Sequence, residues 1–300
     1  MSWSGRLMAS LDERADLVDT ARGPVQVARE GSGPPVLVSH GGPGGFDLGL
    51  AWCRHLRDAG CELLAPSRPG YLRTPLSSGP TPPEQADLYA ALLDALGVER
   101  TTIVGFSSGG PAAVHFAARF PERTTALLLE AAILLPFSPP INALQRAVVE
   151  SVPTVWLTTL VARRRPELVT RFSVDGMSSG LSKEQRRAAV RWINSDPGRL
   201  ARLQEIAACT APPRYRAPGW KNDKANELEQ PPLPFSEVAV PTLISHGANE
   251  GIVPIGHATT AADRIPGAEL ILVKEGHHAL CLSSAHGPAA RRQIELAQPR

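Results

Sequence analysis

Short, continuous apolar runs alternate with longer amphipathic stretches along much of this chain. Gly23 to Glu30 (GPVQVARE) reads as an early strand. Pro35 to Ser39 (PVLVS), Cys61 to Ala65 (CELLA), Thr101 to Val104 (TTIV), Ala126 to Glu130 (ALLLE), Thr242 to Ser245 (TLIS) and Glu269 to Val273 (ELILV) follow. Apolarity that is continuous rather than alternating marks strands buried on both faces. Helix patterns lie between them. Pro82 to Leu96 has Thr81 as N-cap and stops at Gly97. Ala112 to Phe120 stops before Pro121, and Ala258 to Arg264 stops before Pro266. Strand–helix alternation of this kind predicts an α/β fold: a mostly parallel sheet with helices on both faces.

The alternation breaks between about Phe137 and Phe235. Strand runs vanish there, and helix-like stretches take over at Asn142 to Arg163, Lys183 to Asn194 and Gly198 to Cys209. Proline-dense Gln230 to Pro234 closes the block as a linker. The expected organisation is one α/β core formed by residues 1–136 and 236–300, with a helical cap, 137–235, inserted between its halves.

Composition narrows the function without naming it. The chain of 300 residues is 43% hydrophobic and 20% charged, enough to bury a sizeable core. A formal net charge of +2 gives no field that points to nucleic acid or an anionic membrane. The densest basic cluster, Arg163 to Arg165, reads as a solvated helix end. Cys53, Cys61, Cys209 and Cys281 form no C-x-x-C pair, so they read as buried free thiols of a reducing compartment. No run approaches a membrane span, and Met1 to Ser10 has no apolar signal core. The expectation is a cytoplasmic protein acting on a small molecule, with no cofactor and no metal; a homodimer stays open.

Four loops carry chemistry. Gly105-Phe106-Ser107-Ser108-Gly109-Gly110 lies between the TTIV strand and a helix. A nucleophile needs its hydroxyl exposed at the end of a strand, and a sharp strand-to-helix turn flanked by small residues supplies that. The N–H of Ser108 can then face a developing oxyanion. His40-Gly41-Gly42-Pro43-Gly44-Gly45 follows the PVLVS strand; its glycines let main-chain N–H groups approach a substrate and supply a second donor. His40 itself reads as a structural, hydrogen-bonded histidine. His246 to Pro254 follows the TLIS strand and carries Glu250, a carboxylate that can orient a catalytic histidine. Glu275-Gly276-His277-His278 follows the ELILV strand, where the order Ser…acid…His places the general base; His277 is the first choice and His278 the second.

Together these motifs resemble the α/β-hydrolase superfamily across nearly the whole chain. The resemblance implies Ser107 as nucleophile, Glu250 as acid and His277 as base, with an oxyanion hole at the N–H groups of Gly42 and Ser108. It also implies a cap inserted after the sixth strand. A Ser at the elbow speaks against the relatives that use Asp there, the haloalkane dehalogenases and epoxide hydrolases. Two departures stand out. The usual acid Asp is Glu250 here, with Glu130 at the end of the ALLLE strand as a second candidate. The family's D-x-x-G-x-G-x-S segment reads Ser67 to Thr74, losing its first Asp and its second Gly.

The expected activity is hydrolysis of an ester, thioester or related acyl bond of a small, largely apolar substrate; carbon–carbon hydrolysis belongs to the same class. A prolyl-iminopeptidase-like aminopeptidase is suggested by the HGGPGG loop. Yet Ser108 stands where that family usually has Trp, and the Arg-rich cap suits a free amine poorly. A non-hydrolytic lyase, cyclase or ligand receptor on the same fold is the third reading. Phe46, Tyr71, Phe137, Trp156, Trp192 and Met177 are candidate pocket residues, each with plain core packing as the alternative.

Overall fold

The computed structural model describes residues 2–138, 154, 156–157, 160–161 and 164–298. Eight strands form one sheet: β1 (Asp16–Thr20), β2 (Gly23–Glu30), β3 (Pro35–Ser39), β4 (Glu62–Pro66), β5 (Thr101–Phe106), β6 (Thr124–Glu130), β7 (Thr242–Gly247) and β8 (Glu269–Val273). Their order across the sheet is β1-β2-β4-β3-β5-β6-β7-β8. The β1–β2 and β2–β4 pairs are antiparallel, and every later pair is parallel. The apolar runs are thus strands of a mostly parallel sheet. The sequence pattern missed β1, because Asp16-Leu17-Val18-Asp19-Thr20 is a half-exposed edge strand with no apolar run.

Successive strand residues feed opposite cores, which is why the runs are apolar throughout. Leu37, Ile103, Leu127 and Ile244 pack on one face against α4 (Pro82–Leu96), α5 (Gly110–Arg119) and α10 (Gly256–Arg264). Their neighbours Val36, Val38, Val104, Leu128 and Leu243 pack on the other. That second face is covered by α1 (Trp3–Asp12), α2 (Phe46–Trp52), α3 (Arg54–Asp58) and α11 (Gly287–Ala297). The start of α4 is fixed by a capping box between Thr81 and Glu84, and its end by Gly97 at φ 67°. All four cysteines are buried and unpaired.

Between β6 and β7 the described residues contain no named strand. They form α6 (Pro166–Met177), α7 (Lys183–Asn194), α8 (Pro197–Ala208) and α9 (Ala217–Leu228). The helix expected over Asn142 to Arg163 lies almost wholly outside the described residues. α9 was not legible as a helix with a buried face, because the residues it buries are Gly219, Asp223 and Glu227. Two buried ion pairs seat it. Arg68 of the core donates to Asp223 at 2.7 and 2.5 Å, and Arg216, just before α9, donates to Asp47 of α2 at 3.0 and 2.7 Å. No helix among the described residues is long and apolar enough to cross a membrane.

Candidate active site

The first site element is the turn between β5 and α5. Ser107 sits at φ 50°, left-handed backbone that non-glycine residues rarely adopt and that costs about 1–3 kcal/mol. Glycines on either side allow it. A Cβ on Gly105 would stand 2.5 Å from the Ala113 methyl, and one on Gly109 would stand 2.0 Å from the carbonyl oxygen of Ser39. The Ser107 carbonyl accepts from the N–H of Ile133 at 2.9 Å. This geometry turns the chain sharply from strand into helix with Ser107 at the apex.

The glycine loop after β3 closes against that apex. A Cβ on Gly41 would lie 2.8 Å from the Ser107 Cβ. His40 holds the loop's shape. Its Nδ1 lies 2.7 Å from the Gly41 carbonyl, and its Nε2 accepts the N–H of Arg68 at 2.9 Å. That bonding requires a neutral ring protonated on Nδ1. Burial, with Arg68 adding to it, holds its pKa well below the ordinary histidine value. The sequence reading of His40 as a structural residue describes this arrangement.

Glu250 lies just past β7. Its Oε1 accepts from the N–H groups of Ile252 at 2.6 Å and Val253 at 3.1 Å, and its Oε2 lies 2.8 Å from Nδ1 of His278. Burial opposes the charged carboxylate, but His278 and the two N–H groups outweigh it and keep the pKa below the ordinary value. The expected partner was His277, and the structure brings the other histidine to the acid. Among the described residues, His278 is hydrogen-bonded to Glu250, while both ring nitrogens of the buried His277 have no hydrogen-bond partner. His277 turns instead toward a cavity of about 270 Å³ under α7, lined also by Leu181, Gln185, Trp192 and Ser283. Burial drives its pKa down to about 4, against the pull of Glu250.

Glu130, the second candidate acid, meets neither histidine of the pair. Its carboxylate accepts from the indole N–H of Trp52 at 2.8 Å and from Gln293 Nε2 at 2.9 Å. It thereby fixes Trp52. That indole stacks on Phe106, the residue before Ser107, with centroids 4.5 Å apart, and presents an edge to His278 at 6.0 Å. One aromatic ring therefore links the Ser107 turn to His278. Sequence reasoning passed over Trp52, which carries no motif.

It also passed over α9, which packs against both candidate oxyanion residues, Gly42 and Ser108. The Trp220 ring lies over Gly42, where a Cβ would come within 2.6 Å of it. Ser108 Oγ donates to Glu227 Oε1 at 2.6 Å, and Glu227 is paired with Lys224 as well. Burial raises the Glu227 pKa, and Lys224 offsets part of that. Trp220, Asp223 and Glu227 follow one another at helical spacing, the only signal that could have marked this face. Among the candidate pocket residues, Phe46 and Tyr71 are fully buried, and Tyr71 bonds Asp223 at 2.5 Å. Trp192 stacks under the Arg199 guanidinium at 4.0 Å, and Trp156 is exposed.

Comparison with known proteins agrees with this architecture. Residues 34–284 match the family model for the alpha/beta hydrolase fold. An alpha/beta hydrolase fold protein from Nakamurella multipartita is 36% identical, with a TM-score of 0.89 over 95% of this chain and 99% of that one. The uncharacterized hydrolase YcgS of Bacillus subtilis (strain 168) is 26% identical over 91% of this chain and 94% of its own length. The 2-hydroxymuconate semialdehyde hydrolase of Pseudomonas putida is 29% identical over 80% of this chain and 79% of its own. With its eight-stranded sheet, its strand-to-helix turn at Ser107 and a family match spanning most of its length, the chain belongs to the alpha/beta hydrolase fold family.

Proposed function

We propose that the protein is a serine hydrolase that cleaves an ester, thioester or related acyl bond of a small, largely apolar substrate. Ser107 attacks the carbonyl, and His278 takes its proton and passes it to the leaving group. Glu250 holds Nδ1–H of His278 and stabilises the imidazolium. The N–H groups of Gly42 and Ser108 receive the oxyanion. Water then enters, activated by His278, and releases the acid. The observation that carries this reading is the Glu250–His278 pair, at 2.8 Å, at the C-terminal end of the parallel strands, where the left-handed Ser107 also emerges. The base is thus assigned to His278 in place of His277.

The aminopeptidase reading gains no support from Glu227. That cap carboxylate is already occupied by Ser108 and Lys224 and holds no charge spare for a substrate amine. The test is labelling with a fluorophosphonate probe, with turnover of short and long p-nitrophenyl esters, proline-naphthylamide and 2-hydroxymuconate semialdehyde alongside. Wild type should label and Ser107→Ala should not, with ester turnover falling by about 10⁴-fold or more. Equal labelling of both proteins would sink the proposal.

A further inference from the structure

The acid loop and the histidine loop are joined by a piece of the cap. The Met177 carbonyl, at the end of α6, accepts from two N–H groups: Gly251 at 3.1 Å and His278 at 3.1 Å. One oxygen thus ties the residue after the acid to the paired histidine. Ser178 forms an antiparallel bridge with Glu250 itself. Ser179 completes the seam, its N–H donating to the Asn249 carbonyl at 2.9 Å and its Oγ to the Glu250 carbonyl at 2.6 Å. The chains are packed so closely that a Cβ on Gly251 would stand 2.7 Å from the Ser178 carbonyl carbon and 3.0 Å from that of Met177.

We infer that Met177 to Ser179 is a cap-borne clip that holds the Glu250–His278 pair in register, with Ser179 and Gly251 as positioning residues. The inference rests on the serine-hydrolase reading above. None of the three clip residues touches a reacting atom by this account; they act through the backbone of the acid and histidine loops. A carboxylate–imidazole pair tolerates little displacement, since a shift of about 1 Å can cost on the order of 100-fold in rate. Loss of the clip should therefore lower kcat and leave KM nearly unchanged.

The experiment compares wild type with Ser179→Ala, Ser179→Thr and Gly251→Ala in the full chain. It reads kcat and KM with p-nitrophenyl acetate, fluorophosphonate labelling rate, and hydrogen–deuterium exchange of the 249–253 and 276–279 segments. Ser179→Ala should lose about 10-fold in kcat and Gly251→Ala about 100-fold, each with KM within about twofold. Ser179→Thr, which keeps the hydroxyl on an exposed position, should restore most of the rate. Both segments should exchange faster in Ser179→Ala and Gly251→Ala than in wild type. Unchanged kcat and exchange in Ser179→Ala would overturn the clip, even if Gly251→Ala failed to fold. A wild type that does not label would sink the serine-hydrolase reading alone, and exchange would still decide whether the clip holds the two loops.

Discussion

The Ser107 turn and α9 reach the same candidate site by different physics. Around Ser107 the chain is held by backbone geometry and apolar packing: a left-handed turn wedged between glycines, above strands whose residues are almost all buried. Around α9 the helical segment between β6 and β7 is held by buried charge: Arg68, just after β4, pairs with Asp223 of α9, and Arg216, just before α9, pairs with Asp47 of α2. Both ion pairs are nearly sealed from water, with side chains 1–7% exposed. The difference teaches that one half of the site can be specified by hydrophobic periodicity and the other by paired charges that periodicity cannot see. A buried pair stabilises little by itself, yet breaking it strands a charge.

The largest expected effect belongs to the loop after β8 and separates its two adjacent histidines. His278→Ala should lower ester turnover by about 10⁴-fold, roughly 5.5 kcal/mol of transition-state stabilisation, because the Glu250 carboxylate loses the ring it orients. His277→Ala should retain activity within about tenfold and show itself in stability against pH instead. The folded pKa of His277, about 4, lies below its ordinary 6.5, so the unfolded chain binds the extra proton between those values. Stability conferred by keeping this ring neutral is thus complete above pH 6.5 and lost as pH falls toward 4. His277→Ala should make that limb shallower without abolishing it, since burial lowers the pKa of His55, His257 and other histidines too, as measured by urea unfolding at pH 7 and pH 5. The reverse outcome, with His277→Ala inactive and His278→Ala active, would return the base to His277.

Next in size is α9. Asp223→Ala leaves the Arg68 guanidinium buried without its partner and should cost about 3–5 kcal/mol in urea unfolding. A double variant, Arg68→Met with Asp223→Leu, removes both charges and should recover most of that loss. If Asp223→Ala costs under about 1 kcal/mol, the seating of α9 by charge is wrong.

The same contrast decides what could be read from the sequence. β5 and β7 announced themselves as apolar runs because their alternate residues serve two cores, and the loops after them inherited a position from the strands. Glu250 could be picked for that reason. The choice between His277 and His278 could not, since both follow the same strand and only the loop's fold decides which ring turns to the acid. α9 hid for a deeper reason. Asp223 and Glu227 look solvated in sequence, and their partners, Arg68 and Ser108, lie 155 and 119 residues away. The clip was hidden as well, because most of its bonds come from main-chain atoms that carry no residue signature.

The smallest effect tests where the two regions touch. Leu72 occupies the position of the second glycine in the segment Ser67 to Thr74, and it has φ 52°. Its N–H donates to the Tyr215 carbonyl at 2.6 Å, so a strained core loop carries a cap contact. Its side chain is buried and packs where a Cβ on Gly45 would lie 2.5 Å from Leu72 Cδ1. Truncation to Ala or Gly loses the same packing to within a methyl group, so the two variants differ mainly in backbone strain. An L-residue in this region costs about 1–2 kcal/mol that glycine does not incur. Leu72→Gly should therefore be more stable than Leu72→Ala by about 1 kcal/mol, the reverse of their usual order in regular structure. Urea unfolding of the two variants measures the gap. If Leu72→Ala proved the more stable, Leu72 would be resting in this conformation without strain, and loss of the family's glycine would have no energetic consequence for the loop that meets the cap.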